Sequence, residues 1–258
     1  MSYLPQIADS IEPALLPPSL VVTGPGGRVE GHAHHGMHVV IARAGRLRAD
    51  IVQEVGTTTV DAAGVWIAPD VRHRIDASNL EVAILFVDPE SREGRALRLR
   101  ADPFRLLEDE ERDGLSEVWP ASHGARRDEA FATAVFAALG ISRDAPGAPV
   151  HPGVLRALRY MRETDRPPAL ADLADVAGLS AGRLLHVFTD TVGIPPRRYL
   201  LWLKVQRASR AMASGQSITE AAHVAGFSDA AHLSRTFRTM FGTTPRELLR
   251  NSQFLQDS

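Results

Sequence analysis

The sequence predicts an α+β protein of two domains, with an N-terminal β-barrel flanked by helices and a C-terminal all-α domain. The chain of 258 residues is long enough to bury two hydrophobic cores. Short β-type segments separated by Gly and Pro clusters occupy residues 19–88, and helical periodicity dominates after residue 150. We therefore expect a β domain over residues 1–90, a helical connector and linker over 91–149, and a helical domain over 150–258.

The composition is that of a soluble globular protein. Hydrophobic residues make up 44% and charged residues 23% of the chain, and no apolar run approaches the roughly 20 residues of a membrane-spanning helix. The N-terminal segment MSYLPQIADS lacks the basic and apolar regions of a signal peptide, so we expect a cytoplasmic protein. The chain has no cysteine, which excludes thiolate ligands and leaves His, Asp and Glu for any metal site.

The charge is divided unevenly between the two halves. Residues 150–258 carry 14 Lys and Arg against 9 Asp and Glu, whereas residues 1–149 carry 15 against 22. A basic helical half next to an acidic half is typical of a nucleic-acid-binding domain joined to a domain of another role. Because a modest excess of this kind also arises by chance, the charge alone supports nucleic-acid binding only weakly.

Six segments in the N-terminal half have the residue types of short strands. Val, Ile, Leu and Thr dominate them, and turn-forming clusters such as residues 24–27 separate them. Many short strands with turn signals favour a sandwich or a barrel. The predicted strands cover residues 20–22, 39–42, 46–51, 57–60, 65–67 and 82–87.

Helix formers replace the β-type residues after residue 90. Phe131, Val135 and Leu139 follow helical spacing, so two or three helices are expected beside the barrel, and residues 142–149 have the Pro and Gly content of a linker. The apolar residues of this segment are candidates for a homodimer contact or, equally, for packing within the chain. They are Leu97, Leu106, Leu107, Phe131 and Val135.

The C-terminal half contains a degenerate internal repeat with an offset of 48 to 49 residues. The tripeptide Val-Ala-Gly at 176–178 recurs at 224–226. Further matched positions are Phe188, Gly193, Pro196 and Leu200 in the first copy and Phe237, Gly242, Pro245 and Leu249 in the second. The repeat predicts two copies of one supersecondary unit.

Each copy is predicted to form two helices joined by a sharp turn. Small and apolar residues give the first helix a narrow face for a close helix crossing, and Gly178 and Gly226 supply the turns. Ser180 and Ser228 are placed to cap the second helix of each copy. This is the geometry of a helix-turn-helix unit. The two units span about residues 170–191 and 218–241.

One continuous helix is predicted between the two units. Residues 196–213 would span roughly 27 Å at about 1.5 Å per residue, close to the about 34 Å between successive major-groove faces of DNA. Beyond this helix, Thr244, Pro245 and Glu247 are predicted to form a capping box that begins a last helix. The two units could then enter adjacent major-groove segments on one face of the duplex.

On these residues the C-terminal domain resembles the AraC/XylS family of transcription regulators. The similarity covers about 100 residues and is clearest in the stretch ITEAAHVAGFSDAAHLSRTFRTMFGTTPRELLR at 218–250. It implies binding to promoter or operator DNA, with RNA polymerase as a further partner if the protein is an activator. An all-α bundle with repeated packing residues and no nucleic-acid role is the alternative.

The resemblance assigns DNA contacts to the exposed face of the second helix in each unit. Arg183 and Arg235 are candidates for bidentate contacts to a guanine edge, and Arg238 for a base or phosphate contact. Gly182 and Leu185 depart from the family's polar face, so the first helix is expected to read less sequence than the second. The candidate set is Arg183, His186, Thr189, Asp229, His232, Ser234, Arg235 and Arg238.

A histidine cluster lies in the predicted barrel, where four of the ten histidines fall within residues 31–38. The intervals between Gly26, the histidines and Gly45 match the first motif of the cupin family, except that His38 replaces a Glu. Residues 68–73 resemble the second motif without its usual glycines. The resemblance covers about residues 20–88 and implies a cupin-like β-barrel that acts as a sensor domain.

The cupin resemblance also implies a metal site formed by His32, His34, His38 and His73. Residues two apart on a strand share a face, so His32 and His34 are expected to point into the barrel together, while His35 is expected at the surface. Imidazole suits zinc, nickel, iron, copper or cobalt, although four neutral ligands leave the charge of the metal uncompensated. The alternative is a barrel that has lost the metal and binds a small organic effector or only packs.

The preferred interpretation is a DNA-binding transcription regulator, not an enzyme, that responds to a small-molecule or metal effector. A metal-dependent cupin dioxygenase or isomerase fused to a DNA-binding domain is the competing class, with Asp70 as the nearest acid-base candidate in the sequence. A repressor without any effector is a third possibility.

Overall fold

The computed structural model describes residues 19–100, 102–120, 125–142, 147–164 and 167–251. The strands are β1 Ser19–Pro25, β2 Met37–Ala42, β3 Leu47–Gln53, β4 Gly56–Ala62, β5 Gly64–Ile67, β6 His73–Asp76, β7 Glu81–Val87 and β8 Phe104–Leu107. The helices are α1 Arg92–Leu97, α2 Asp109–Asp113, α3 Ala125–Ala138, α4 Pro152–Glu163, α5 Leu170–Ala177, α6 Ala181–Val192, α7 Pro196–Ala213, α8 Ile218–Val224, α9 Ala230–Phe241 and α10 Pro245–Asn251, with a short 3-10 helix at Ser116–Val118. Residues 143–146 of the predicted linker lie outside the described residues.

The strands form two antiparallel sheets, one in the order β1-β7-β2-β5-β8 and one in the order β4-β3-β6. The six strands predicted from the sequence are present, and β6 and β8 were missed. In β6, buried His73 and Ile75 alternate with half-buried Arg74 and Asp76, so two of its four residues are charged. A strand this short and polar carries little of the pattern by which strands are predicted.

The five-stranded sheet has an apolar layer on each face, one shared with the second sheet and one covered by α3. The strand β2 lies in the middle of this sheet and is buried at all six positions. Val39 and Ile41 face the helical layer, whereas Val40 faces the second sheet. Because side chains alternate along a strand, His38 points with Val40 into the space between the two sheets.

Residues 91–149, predicted as a helical connector, contribute directly to the β domain. Within this segment β8 pairs with β5, and α3 packs on the outer face of the five-stranded sheet. The sheet needs this apolar cover, because an uncovered hydrophobic face is unstable in water. The dimer candidates Leu97, Leu107, Phe131 and Val135 are therefore buried in the chain's own core, and Leu106 is half-buried against it.

Helices α4 to α10 form a separate domain with two hydrophobic clusters. The long helix α7 belongs to both: Tyr199 and Leu203 lie in the cluster with α4 to α6, and Val205 and Ala208 lie in the cluster with α8 and α9. The helix predicted between the two units is confirmed at both ends. Because each unit packs on the same rigid helix, α7 fixes their separation.

The two domains meet around a buried arginine. Arg162 on α4 donates to the two carboxylate oxygens of Asp88 at 3.2 and 2.9 Å, and to the Tyr199 hydroxyl at 2.8 and 2.9 Å. The side chains of Arg162 and Asp88 are only 3% and 7% exposed. A guanidinium at this depth is stable only with a counter-ion and hydrogen-bond partners. The pair therefore ties α4 of the helical domain to the loop that follows β7.

Replacing Asp88 with Asn keeps the shape of the side chain but removes the nearer of the two carboxylates that face Arg162, the other being Glu90 at 3.5 Å. We expect Asp88→Asn to lower the free energy of unfolding by about 3 to 5 kcal/mol, the usual effect of breaking a buried ion pair. The matched control is Glu81→Gln, which removes a carboxylate from the exposed pair with Arg43 and should change stability by less than about 1 kcal/mol. Urea unfolding followed by circular dichroism compares the two variants. Equal stabilities would contradict the role given to Asp88.

Candidate nucleic-acid interface and histidine site

The first helix-turn-helix unit consists of α5, a turn at Gly178, and α6. Gly178 has φ 65°, a left-handed conformation that glycine adopts without a steric penalty. As predicted, Ser180 caps α6: its hydroxyl accepts the backbone N–H of Arg183 at 3.3 Å. Leu184 and Phe188 are fully buried, so the opposite face of α6 is turned to solvent.

The α6 residues predicted to contact DNA lie mainly on this solvent face. Arg183 and His186 are exposed, and Nε2 of His186 lies 3.2 Å from a carboxylate oxygen of Asp190 one turn later. Thr189 is half-buried and donates its hydroxyl to the carbonyl of Leu185 at 2.8 Å. The Leu185 side chain itself is 40% exposed. Arg183 is thus the main charged donor that α6 offers to DNA.

The second unit consists of α8, a turn at Gly226 with φ 77°, and α9. Its cap was predicted wrongly: the residue that caps α9 is Asp229, not Ser228. One Asp229 oxygen accepts the backbone N–H of His232 at 2.6 Å, and the other accepts the Ser228 hydroxyl at 3.0 Å. A carboxylate is the stronger cap because it also faces the positive end of the helix dipole. The His232 ring packs edge-on against Phe227.

Arg235 and Arg238 are the exposed charged side chains of the predicted set on the body of α9. Ser234 is half-buried and donates its hydroxyl to the carbonyl of Ala230 at 2.8 Å. The carboxylate of Asp229 is engaged in capping. Since Ser234 and Asp229 make these bonds within the unit, base or phosphate contacts from α9 fall first to the two arginines.

The histidine site lies where the histidine-rich segment, residues 31–38, pairs with the start of β6. His32 and His73 form an antiparallel bridge in which the backbone N–H of each donates to the carbonyl of the other at 2.9 Å. One ligand nitrogen from each of His32, His34 and His73 lies within 4.8 Å of the other two. The structure therefore brings together three of the four histidines that the cupin resemblance singled out.

The fourth histidine, His38, is a neighbour of these three, but it is not part of the group whose ligand nitrogens all lie within 4.8 Å of one another. Its ring centroid lies 4.9 Å from that of His34 and 4.7 Å from that of His73. Among the described residues, the Nδ1 atoms of His34 and His38 and the Nε2 atom of His73 are buried without a hydrogen-bond partner. Buried polar atoms without a partner are rare in folded proteins, and a bound ion is one of the ways in which they are satisfied.

Burial keeps these histidines neutral. It lowers the pKa of His32, and together with the neighbouring histidines it lowers the pKa values of His34 and His38 well below their ordinary value. Burial and the adjacent His32 lower the pKa of His73 to about 4. The neutral imidazole is the form that binds a metal ion.

Two of the rings are also oriented by hydrogen bonds to the backbone. The Nδ1–H of His32 donates to the carbonyl of Glu30 at 2.7 Å, and the Nδ1–H of His73 donates to the carbonyl of Val71 at 2.8 Å. Each bond fixes a tautomer in which Nε2 holds the lone pair. Metal-binding histidines in proteins usually have such a second partner. The donor set therefore fits a transition-metal ion.

His35, predicted at the surface, is buried. Its Nδ1 lies 3.1 Å from a carboxylate oxygen of Asp70, and its Nε2 lies 2.9 Å from Glu90. Burial alone would lower the pKa of His35, but the charge of Glu90 and the hydrogen bonds to both carboxylates raise it. The alternation rule failed because the segment before β2 is irregular and Tyr199 of the other domain covers this side.

Sequence reasoning also missed Glu90, which is 3% exposed. Although burial alone would raise the pKa of Glu90, His35, Arg98 and Arg162 hold it at about 2. A carboxylate in a loop after a strand normally indicates an exposed residue. Nothing in the periodicity marks Glu90 as part of a domain interface.

None of the helices in the described part of the chain is both long enough and apolar enough to cross a membrane.

Comparison with known proteins identifies the helical domain. Residues 173–251 match a family model described as a helix-turn-helix domain. The HTH-type transcriptional activator RhaS of Pectobacterium atrosepticum is 39% identical over 77 residues, which are 30% of this chain and 28% of RhaS. The transcriptional activator NphR of Rhodococcus sp is 33% identical over 82 residues, which are 31% of this chain and 24% of NphR. The chain thus spans less than a third of the length of these curated relatives.

Among solved structures, an apo variant of ToxT from Vibrio cholerae strain SCE256 superimposes with a TM-score of 0.65 at 13% identity, covering 92% of this chain and 98% of ToxT. ToxT from Vibrio cholerae O395 gives a TM-score of 0.60 at 12% identity, covering 93% and 99%. At this identity the likeness shows the fold alone, which is a β domain followed by a helical domain.

Proposed function

We propose that the protein is a DNA-binding transcription regulator of the AraC/XylS type whose β domain senses an effector. The match of residues 173–251 to a helix-turn-helix family and the likeness to the activators RhaS and NphR support this proposal. The observation that carries the proposal is the pair of helices α6 and α9, each packed by its apolar face on the domain core and each presenting arginine to solvent. Two such helices on the rigid helix α7 fit successive major-groove segments of one duplex. RNA polymerase as a partner and a homodimeric state remain predictions.

The two units are expected to contribute unequally to DNA recognition. On α9, Arg235 and Arg238 are both exposed, and the carboxylate of Asp229 fixes the start of the helix. On α6, Arg183 is accompanied by the exposed apolar side chain of Leu185. Arginine makes the strongest base-specific contacts in the major groove, whereas leucine offers only an apolar contact. Sequence discrimination should therefore depend more on α9.

Removing one arginine from α9 tests this assignment. We expect Arg235→Ala to weaken binding to an operator, obtained by selection from genomic fragments, by about 1 to 3 kcal/mol, because a base contact is lost. Arg48→Ala, which removes an exposed arginine from β3, is the matched control and should leave the affinity unchanged. Fluorescence anisotropy at one fixed salt concentration measures both. The same affinity for Arg235→Ala and the wild type would contradict the assignment.

We also propose that the β domain binds a divalent transition-metal ion through His32, His34 and His73, with His38 as a fourth ligand. Neutral rings, unpartnered buried nitrogens and backbone-fixed tautomers support this proposal. Zinc, nickel, iron, copper and cobalt all accept imidazole nitrogen. The ion would serve as the signal that the regulator senses.

The four histidines His32, His34, His38 and His73, here called the histidine pocket, are so close together that they favour an ion over an organic effector as the ligand. The ring centroids of the four histidines lie between 4.2 and 5.7 Å apart in the pairs that are in contact. Rings at these separations are in contact, so a sugar or an aromatic molecule would have to displace them, whereas a metal ion needs only one nitrogen from each ring. A separate observation disfavours the competing enzyme interpretation. The carboxylate of Asp70, the acid-base candidate of that interpretation, is engaged by His35 at 3.1 Å and Arg198 at 3.2 Å.

Loss of one ligand should weaken metal binding. We expect His73→Asn to weaken zinc binding by at least about tenfold, whereas His186→Asn, which changes an exposed histidine on α6, should bind zinc like the wild type. Each protein is loaded with zinc, freed of excess metal by gel filtration, and analysed by plasma mass spectrometry. Equal zinc content in the two variants would show that the histidine pocket is not the site.

A further inference from the structure

The helical domain forms one wall of the histidine pocket. The ring of Trp202 on α7 lies nearly parallel to that of His34, with 8° between the planes and 6.1 Å between the centroids. Phe241, the last residue of α9, has its ring centroid 5.1 Å from that of His34. The strands β2 and β6 enclose the cluster on other sides, and each of the four histidines is at most 6% exposed. Trp202 and Phe241 therefore cover His34 on the side of the helical domain.

The end of α9 is packed against the β domain more closely than a side chain at that position would allow. Gly242 ends the helix with φ 66°, and a Cβ atom at this position would clash with the carbonyl oxygen of Glu30 and lie 2.9 Å from Nδ1 of His32. These are the two atoms that form the hydrogen bond fixing the His32 tautomer. The C-terminal end of α9 thus rests directly on a proposed ligand and its backbone partner.

The other recognition helix is held at the corresponding end. Arg98 of the β domain donates to the carbonyl of Thr191 at 3.1 Å, one residue before α6 ends. Both recognition helices therefore contact the β domain at their C-terminal ends, while Arg183 and Arg235 remain exposed. Only α9 makes this contact through the histidine pocket among the described residues.

We propose that α7 and the C-terminal end of α9 are the lid of the histidine pocket, so that a metal ion enters and leaves only when the helical domain lifts from the β domain. Lifting separates Trp202 and Phe241 from His34 and releases the end of α9. Metal exchange at the pocket is thereby coupled to movement of the second recognition helix, α9. This inference rests on the proposed metal site.

Two glycines at equivalent positions of the repeat provide a matched test. Gly242→Asn introduces a side chain that cannot fit against Glu30, whereas Gly193→Asn makes the same change at the end of α6, where a Cβ atom would meet only the terminal nitrogens of Arg98 at 3.7 and 4.0 Å. Asn tolerates the left-handed backbone of both positions, so the two changes impose similar local strain. They differ in whether the lid can close.

The transfer of zinc from each loaded protein to an excess of a chromophoric chelator measures the opening of the lid. A closed state that opens about 0.1 to 10% of the time exchanges about ten- to a thousandfold more slowly than a protein that cannot close. We therefore expect slow transfer from the wild type and Gly193→Asn and at least about tenfold faster transfer from Gly242→Asn. Equal rates for the two glycine variants, with zinc bound in both, would overturn the lid while leaving the metal site intact. Absence of bound zinc from all three proteins would overturn the metal site and the lid with it.

A second variant and a second readout guard against misfolding of Gly242→Asn. Phe241→Ala removes the ring over His34 without changing the backbone and should also accelerate zinc transfer. Because the chain has no cysteine, dyes placed by Val55→Cys and Val224→Cys, at side chains 96% and 61% exposed, report the separation of the two domains. In the zinc-free protein Gly242→Asn should lengthen and broaden this distance relative to Gly193→Asn, and an unchanged distance would contradict the proposal.

Discussion

The buried charge of Arg162 determines how the two domains fit together. Its guanidinium needs Asp88 and Tyr199 as hydrogen-bond partners, and one oxygen of Glu90 lies 3.5 Å from it. The other Glu90 oxygen is within 2.9 Å of His35, so the charges of both domains form one connected network. A network of this kind discriminates strongly between alternative dockings, because sliding either domain would leave a buried charge without a partner. The same docking places Trp202 in the first half of α7 and Phe241 at the end of α9 against His34.

Within the helical domain the two units have nearly the same architecture, and each of them packs on one half of α7. Its first half is part of one hydrophobic cluster and its second half part of the other. Each unit uses the same local devices: a glycine at positive φ, a polar cap and buried aromatic or aliphatic side chains on the second helix. These devices depend on residues close together in the chain, which explains why the repeat could be recognised from the sequence. The separation of the units then follows from the length of one helix.

Sequence reasoning succeeded where structure is local and failed where it depends on residues far away in the chain. The strands with regular alternation, the bounds of α7 and the capping box of Thr244 and Glu247 follow from neighbouring residues and are confirmed. The strand β8 was missed because only its pairing with β5 makes it a strand. His35 was misplaced because the surface that covers it belongs to residues more than 160 positions later, such as Tyr199. The grouping of His32, His34 and His73 could be anticipated because two motif positions and one hairpin return define it, whereas their enclosure by Trp202 could not.

The β domain breaks the symmetry of the two units. Gly193 and Gly242 occupy the same place in the repeat and both have a left-handed backbone. A Cβ atom at Gly193 would lie no closer than 3.7 Å to Arg98, whereas a Cβ atom at Gly242 would clash with the carbonyl oxygen of Glu30 beside His32. Close-packed contacts transmit strain, and the end of α9 makes such a contact next to a proposed ligand, whereas the end of α6 is joined to the β domain through the side chain of Arg98. In the proposed lid, a displacement in the histidine pocket therefore acts on α9 through a direct contact. The helix α9 also carries two exposed arginines, so the unit proposed to contribute most to DNA recognition is the one in direct contact with the proposed sensor site.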